Sequence, residues 1–198
     1  MQRGSSLPWV LLAMLFLRSR SAEQQPQQPA AANEVATTRT GEPMPGWFHT
    51  RFEMARQVLA KAFPTAAAPA VNSTALSIVA QWAHETARGE KEFNFNLGGW
   101  TARKRDTFFR AKGAAPTEGM MVWTAYPSLP VAATDQIRRL FETYPSAWKL
   151  LTDNPLSSAW VEELGRRGYY TGSRDTYARA WAMHRAELRQ LVESQAAA

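Results

Sequence analysis

The stretch Ala75–Gly89 (Ala-Leu-Ser-Ile-Val-Ala-Gln-Trp-Ala-His-Glu-Thr-Ala-Arg-Gly) constrains the fold more than any other. It runs for ten residues without a formal charge before Glu85 arrives. At about 100° per residue, Leu76, Val79, Ala80, Ala83 and Ala87 form one apolar helix face. Glu85 does not fall on an outer, solvated side. It aligns with Ile78, Gln81 and Trp82 on a second face that is also mostly apolar. A helix apolar on two faces has to be buried, so the rest of the chain must wrap around it. A carboxyl group at the end of such a helix is poorly solvated, which favours the neutral acid and raises its pKa. A general acid working near neutral pH needs that property. The plainer alternative is a structural acid bonded to Arg88 or to a buried hydroxyl, which for a buried Glu is the commoner case.

The wrapping elements read mainly as helices. Phe48, Phe52, Ala55, Leu59 and Phe63 recur at helical spacing over Trp47–Phe63, and Pro64 ends that run. The central helix is expected to open at an N-cap among Asn72, Ser73 and Thr74 and to end at Gly89. Residues 93–127 contain Gly98, Gly99, Gly113, Pro116, Gly119 and Pro127 around short apolar pieces such as Met120–Trp123, and read as a loop-rich or small-sheet insertion. Helical patterns resume over Leu129–Tyr144, Ser146–Leu151 and from Asn154-Pro155 to Arg167, which Gly168 follows. Ser173 opens a last helix in which Tyr177, Trp181, His184, Leu188 and Leu191 form a stripe read as core. Helices, insertion, helices is an order that sets a cleft between a helical lobe and a small irregular lobe, with Glu85 at its edge.

Of the 198 residues, 45% are apolar and 11% aromatic, enough for one domain with a core. Eight tryptophans are many for this length; core is the commoner place for them, and several are candidates to line a carbohydrate or aromatic ligand groove. The chain has no cysteine, so disulfides and thiol chemistry are excluded. The three histidines, His49, His84 and His184, have no zinc-motif spacing, and neither a metal site nor a cofactor is expected. Residues 7–17 form an apolar run behind Arg3, the pattern of a signal peptide with cleavage after Ala22, though Arg18 and Arg20 are atypical there. The run is too short for an ordinary membrane span. This pattern predicts export to the periplasm or the cell exterior. Residues 23–46, rich in Gln, Pro, Ala and Thr, read as a disordered linker, leaving 47–195 as the folded domain. The formal charge of +6 falls to +3 without residues 1–22, which hold three arginines and no acid. No basic stripe with interleaved aromatics points to nucleic acid.

Four blocks in order carry a resemblance. Gln81-Trp-Ala-His-Glu85-Thr86-Ala-Arg-Gly89 leads into Asn94-Phe-Asn96-Leu-Gly98-Gly99. Trp123-Thr-Ala-Tyr126-Pro-Ser128-Leu129 follows, with Asp135 in the next helix. Gly168-Tyr169-Tyr170-Thr171 comes last, with Tyr177-Ala178 after it. Together they resemble the bacterial glucosaminidase family of peptidoglycan hydrolases, which includes flagellar muramidase domains and autolysins. The resemblance implies a lysozyme-like fold and hydrolysis of β-1,4 bonds of peptidoglycan glycan strands, typically after N-acetylglucosamine; the chain is expected to be a monomer. It makes Glu85 the catalytic acid and sets Tyr169 near the reacting sugar. It also assigns Asn96, Gly98, Trp123, Tyr126 and Tyr170 to the substrate side. Trp82, beside the catalytic turn, and the segment from Gly99 to Trp123 depart from the family pattern.

Glycosidic cleavage needs a proton on the leaving oxygen and stabilisation of an oxocarbenium-like centre. If a second carboxylate activates water, Glu118 is the first candidate by position and Asp106 the next. If the substrate's own N-acetyl group takes that role, neither is needed. A lytic transglycosylase, a muramidase and a non-catalytic glycan-binding or assembly module all remain compatible with these residues.

Overall fold

The computed structural model describes residues 34–103, 106–112 and 120–196. Among them are six helices and one two-stranded antiparallel sheet. In chain order these are α1 (Gly46–Ala62), α2 (Ala68–Glu85), β1 (Phe108–Lys112), β2 (Met120–Thr124), α3 (Leu129–Thr143), α4 (Pro145–Asp153), α5 (Ala159–Arg166) and α6 (Arg174–Ala196). The fold is mainly α, with a small β hairpin inserted between α2 and α3. No helix among the described residues is long and apolar enough to cross a membrane.

As its sequence requires, α2 is the centre. Every residue from Thr74 to Ala83 is buried, and Ile78, Val79, Ala80, Trp82 and Ala83 are completely so. Helix α1 covers one side and α6 another. Each large side chain sealed in this way contributes roughly 1.5–3 kcal/mol of transfer free energy. Trp47, Trp82, Trp160 and Trp181 are sealed, and Trp148 nearly so. Two of the described tryptophans, Trp100 and Trp123, remain half-buried, and both belong to the insertion.

The start of α2 differs from expectation. The helix begins at Ala68, and Asn72, Ser73 and Thr74 lie inside it. Pro69 explains this: a proline in the first helical turn lacks only an N–H that has no intrahelical partner there. The helix also ends earlier than Gly89, because Ala87 and Arg88 take left-handed conformations (φ 48° and 58°) ahead of Gly89 (φ 90°). Glu85 is therefore the last residue of the helix rather than one within it. The helix expected to start at Asn154-Pro155 starts at Ala159, because Asn154 Oδ1 accepts the Leu156 N–H and holds a turn there.

Two polar hubs fix the loops around this body. In the first, Glu92 is fully buried and accepts hydrogen bonds from Arg51 Nη2 (2.7 Å), Arg51 Nε (3.2 Å), Trp47 Nε1 (2.7 Å) and Thr40 Oγ1 (3.0 Å). In the second, Arg139 donates to Asp106 (2.6 Å) and to Asp135 (2.7 Å), and Arg103 reaches both carboxylates. Of the residues read as linker, 34–46 are described: 34–45 include backbone and side-chain hydrogen bonds to this body, and Gly46 already opens α1. Thr38 N donates to Asn94 Oδ1 (2.9 Å), Asn94 N to Thr38 O (2.7 Å), and Thr40 N to Glu92 O (3.0 Å). Composition did not reveal this because backbone amides and one buried hub hold the segment, and no apolar pattern is involved.

Candidate active site

Where α2 stops, three separate segments meet Glu85. From α2 itself comes Gln81, one turn earlier on the same face. From α6 comes Tyr177, whose phenol donates to Glu85 Oε1 at 2.5 Å. From the turn after α5 comes Tyr169, whose hydroxyl accepts from Gln81 Nε2 at 2.6 Å and donates to the Gly98 carbonyl. Gln81 Nε2 also approaches Glu85 Oε1 at 3.4 Å. Gln81 is 1% exposed, so its amide is fixed by these partners.

Hydrogen bonds thus converge on Oε1. The other oxygen, Oε2, faces the Gly98–Gly99 turn. A Cβ built on Gly99 would come within 3.3 Å of Oε2 and 3.9 Å of the Trp123 ring. Gly99 also has φ 61°, a conformation that favours glycine. The absent side chain leaves space between the carboxyl and Trp123.

Burial in this apolar setting pushes the Glu85 pKa up to about 7, against the opposing effect of the Tyr177 and Gln81 hydrogen bonds. Glu85 is therefore poised to hold a proton at neutral pH. Because Oε1 accepts from the Tyr177 phenol, the proton of the neutral acid belongs on Oε2, the oxygen on the Gly99 side. When that proton leaves, Tyr177 and Gln81 remain as donors to the carboxylate. The geometry supports proton donation toward the space beside Gly99 and Trp123.

Of the two partners in the plainer reading, Arg88 pairs instead with Glu187 at 2.7 Å, whereas a buried hydroxyl, that of Tyr177, does bond the acid. His84 packs edge-on against the Tyr177 ring with centroids 4.4 Å apart, and burial lowers its pKa. It acts as packing behind the phenol, as its position on the helix implies.

The other site candidates fall into distinct places. Asn96 closes the loop that carries the glycines, its Oδ1 accepting from Trp100 N (2.9 Å) and its Nδ2 donating to Trp100 O (2.8 Å). Tyr126 is buried and donates to Asp135 Oδ2 (2.8 Å), so it ties the insertion to α3. Tyr170 stacks on Tyr177 at 3.9 Å with 2° between the rings, and its hydroxyl donates to Val161 O (3.0 Å). It supports Tyr177 from behind. Asp106 is held below the usual carboxylate range by hydrogen bonds from Arg103 and the charges of Arg139 and Arg103, which outweigh its burial. Glu118 lies outside the described residues.

Tyr177 corrects the reading of the α6 stripe. Its ring is buried as a core residue's would be, yet its hydroxyl is on the acid. Helical periodicity identifies a buried face and says nothing of what a phenol at its edge touches. Gln81 was the available signal: an uncharged polar residue one turn before Glu85 on a face that is otherwise apolar.

Fold and site together define a mainly helical protein in which the Glu85 carboxyl lies where a small insertion meets the helical body. Among solved structures, the chain is similar to the glycoside hydrolase domain of FlgJ from Salmonella typhimurium, at 18% identity and a TM-score of 0.47, covering 75% of this chain and 91% of that one. No protein-family model matches the chain, and no curated protein matches it.

Proposed function

We propose that this chain is a peptidoglycan hydrolase that cleaves β-1,4 glycosidic bonds of glycan strands, as an endo-β-N-acetylglucosaminidase with Glu85 as general acid. The observation that carries this reading is the state of Glu85. Its pKa is raised to about 7 by burial, its Oε1 is held by Tyr177, and its Oε2 faces the Gly99 turn. The order of the four sequence blocks supplies the substrate class.

In this mechanism Glu85 Oε2 protonates the glycosidic oxygen as the bond to the anomeric carbon breaks. The carboxylate so formed is stabilised by the phenol of Tyr177 and the amide of Gln81. Tyr169 holds Gly98 and Gln81 in register with the acid. Trp123, half-buried beside Gly99, offers an aromatic face to a sugar ring. Water attack is assisted either by Glu118 or by the substrate acetamido group. The ion pairs of Asp106 with Arg103 and Arg139 argue against Asp106 in that role. Export to the periplasm or cell exterior belongs to the same reading.

Purified peptidoglycan incubated with wild type and Glu85→Gln tests it, followed by turbidity and muropeptide mass. The expected result is products with reducing-end N-acetylglucosamine from wild type and almost none from the variant. Reducing-end N-acetylmuramic acid would make the enzyme a muramidase, and a 1,6-anhydro product a lytic transglycosylase. Inactive wild type would leave a glycan-binding or assembly module.

A further inference from the structure

We propose that Thr40 is a positioning residue for Glu85, acting across the N-terminal strap through the Asn94–Gly99 loop. The proposal deepens the catalytic reading of Glu85, and its main readout does not depend on turnover.

Thr40 commits all its polar groups to the hub and the loop. Its hydroxyl donates to Glu92 Oε1 (3.0 Å) and accepts the Phe95 N–H (2.8 Å). Its amide donates to Glu92 O (3.0 Å), and its carbonyl accepts from Arg51 Nη2 (3.2 Å). Two residues upstream, the strap pairs with Asn94 through both backbone and side chain, and Asn94 Nδ2 donates to Ala36 O (3.0 Å). The next residue, Gly41, lies against Gly89 so closely that an added Cβ would sit 1.8 Å from the Gly89 carbonyl oxygen.

The loop needs this support. Asn94 and Phe95 are both left-handed, with φ 49° and 54°. Such residues cost of order 1 kcal/mol or more each and persist only where their surroundings over-determine them. Asn tolerates the conformation better than most residues, whereas Phe does not. The Thr40 hydroxyl is the acceptor that fixes the Phe95 amide. From Phe95 the chain passes directly to Asn96, which clamps Trp100, and to Gly98 and Gly99, which face Tyr169 and Glu85. The strap residues 34–39 are exposed, so hydrogen bonds rather than a core hold them.

The test uses the full chain with Thr40→Val, which keeps the shape and deletes the hydroxyl, and Thr40→Ser, which restores it. The Glu85 carboxyl is titrated by carbon-13 NMR, and turnover of peptidoglycan is measured across pH. Among the described residues, the titratable groups around Glu85 are Tyr177, Tyr169 and Tyr170, with His84 against the Tyr177 ring and His184 beyond His84. Thr40 bonds to none of these and touches titratable groups only at Glu92 and Arg51 of the hub, so a shift of the Glu85 titration is transmitted through the strap and the loop. With Thr40→Val, the loop lifts from Oε2, water reaches the carboxyl, and its titration moves down by about one unit or more. The expected kcat falls at least 10-fold with KM changed less, while Thr40→Ser stays within about 2-fold of wild type. Asn94→Gly, which keeps the backbone conformation and deletes both side-chain bonds to the strap, behaves like Thr40→Val and decides the matter if that variant does not fold. A wild-type Glu85 titration in the folded variants overturns the proposal. Inactive wild type with a shifted titration overturns only the hydrolase reading.

Discussion

The phenol of Tyr177 donates a 2.5 Å hydrogen bond to Oε1 of Glu85, linking the first turns of α6 to the last residue of α2. This bond lowers the Glu85 pKa while burial raises it. It also leaves Oε2 as the oxygen that carries the proton. Burial has the larger effect, and the acid rests near neutrality.

Tyr177→Phe deletes that donor while keeping the ring that stacks on Tyr170. A hydrogen bond to a charged group is worth about 1.5–3 kcal/mol, or roughly one to two pKa units. The Glu85 pKa is expected to rise above about 7, and kcat to fall about 10-fold or more because the departing carboxylate loses its donor. A pH–rate profile checks both, through a basic limb displaced upward and a lower plateau.

Glu85 itself sets a dependence of stability on pH. Its folded pKa, about 7, lies above the unfolded value near 4.5. The folded state therefore binds more protons between these values, and stability is full below about pH 4.5 and declines as pH rises through about 7. Glu85→Gln removes the decline. At pH 8 the variant is expected to be more stable than wild type by roughly 3 kcal/mol, and at pH 4 to match it. Urea denaturation of both proteins at the two pH values measures this difference.

Gly99→Ala tests the space beside Oε2. The added methyl would lie 3.3 Å from Oε2 in a backbone with φ 61°. The strain costs about 1 kcal/mol of stability. The expected loss of turnover exceeds 10-fold, larger than so small a change in stability explains. Melting temperature and kcat measured on one preparation separate the two effects.

Arg139→Met removes the cation shared by Asp106 and Asp135. Arg139 is 4% exposed, so the two carboxylates lose their main counter-charge in a poorly solvated place. Breaking a buried pair of this kind costs about 3–5 kcal/mol. Both carboxyls titrate below their ordinary value in the folded protein, so this network stabilises above about pH 4 and is lost as pH falls further. The variant should lose much of its stability at pH 7 and show a weaker acid transition, by thermal denaturation across pH 2–7.

Much of the helical body was legible because apolar spacing reports burial directly. The uncharged run into Glu85 marked both the central helix and its poorly solvated acid, and Pro64 and Ser173 marked ends that the structure has. The N-cap of α2 and the strap over Asn94 were not legible. Pro69 fits a first turn as well as it fits a connection, and backbone hydrogen bonds leave no trace in composition. Asn96 and Tyr126 stood out in the sequence for a different reason than their contacts reveal, since both hold loops in place.

By itself the sequence determined that a helix apolar on two faces must be enclosed and that Glu85 lies on one of those faces near its C-terminal part, because transfer from water acts on residue type and spacing alone. The tertiary structure decided which groups reach that acid. Tyr177 arrives 92 positions later and Tyr169 arrives from the turn after α5. Gly99 comes from a loop whose left-handed residues are held from the N-terminal side. Those approaches depend on helix crossing and loop path, which no local pattern encodes, and they fix which oxygen of Glu85 is bound and which faces the open side.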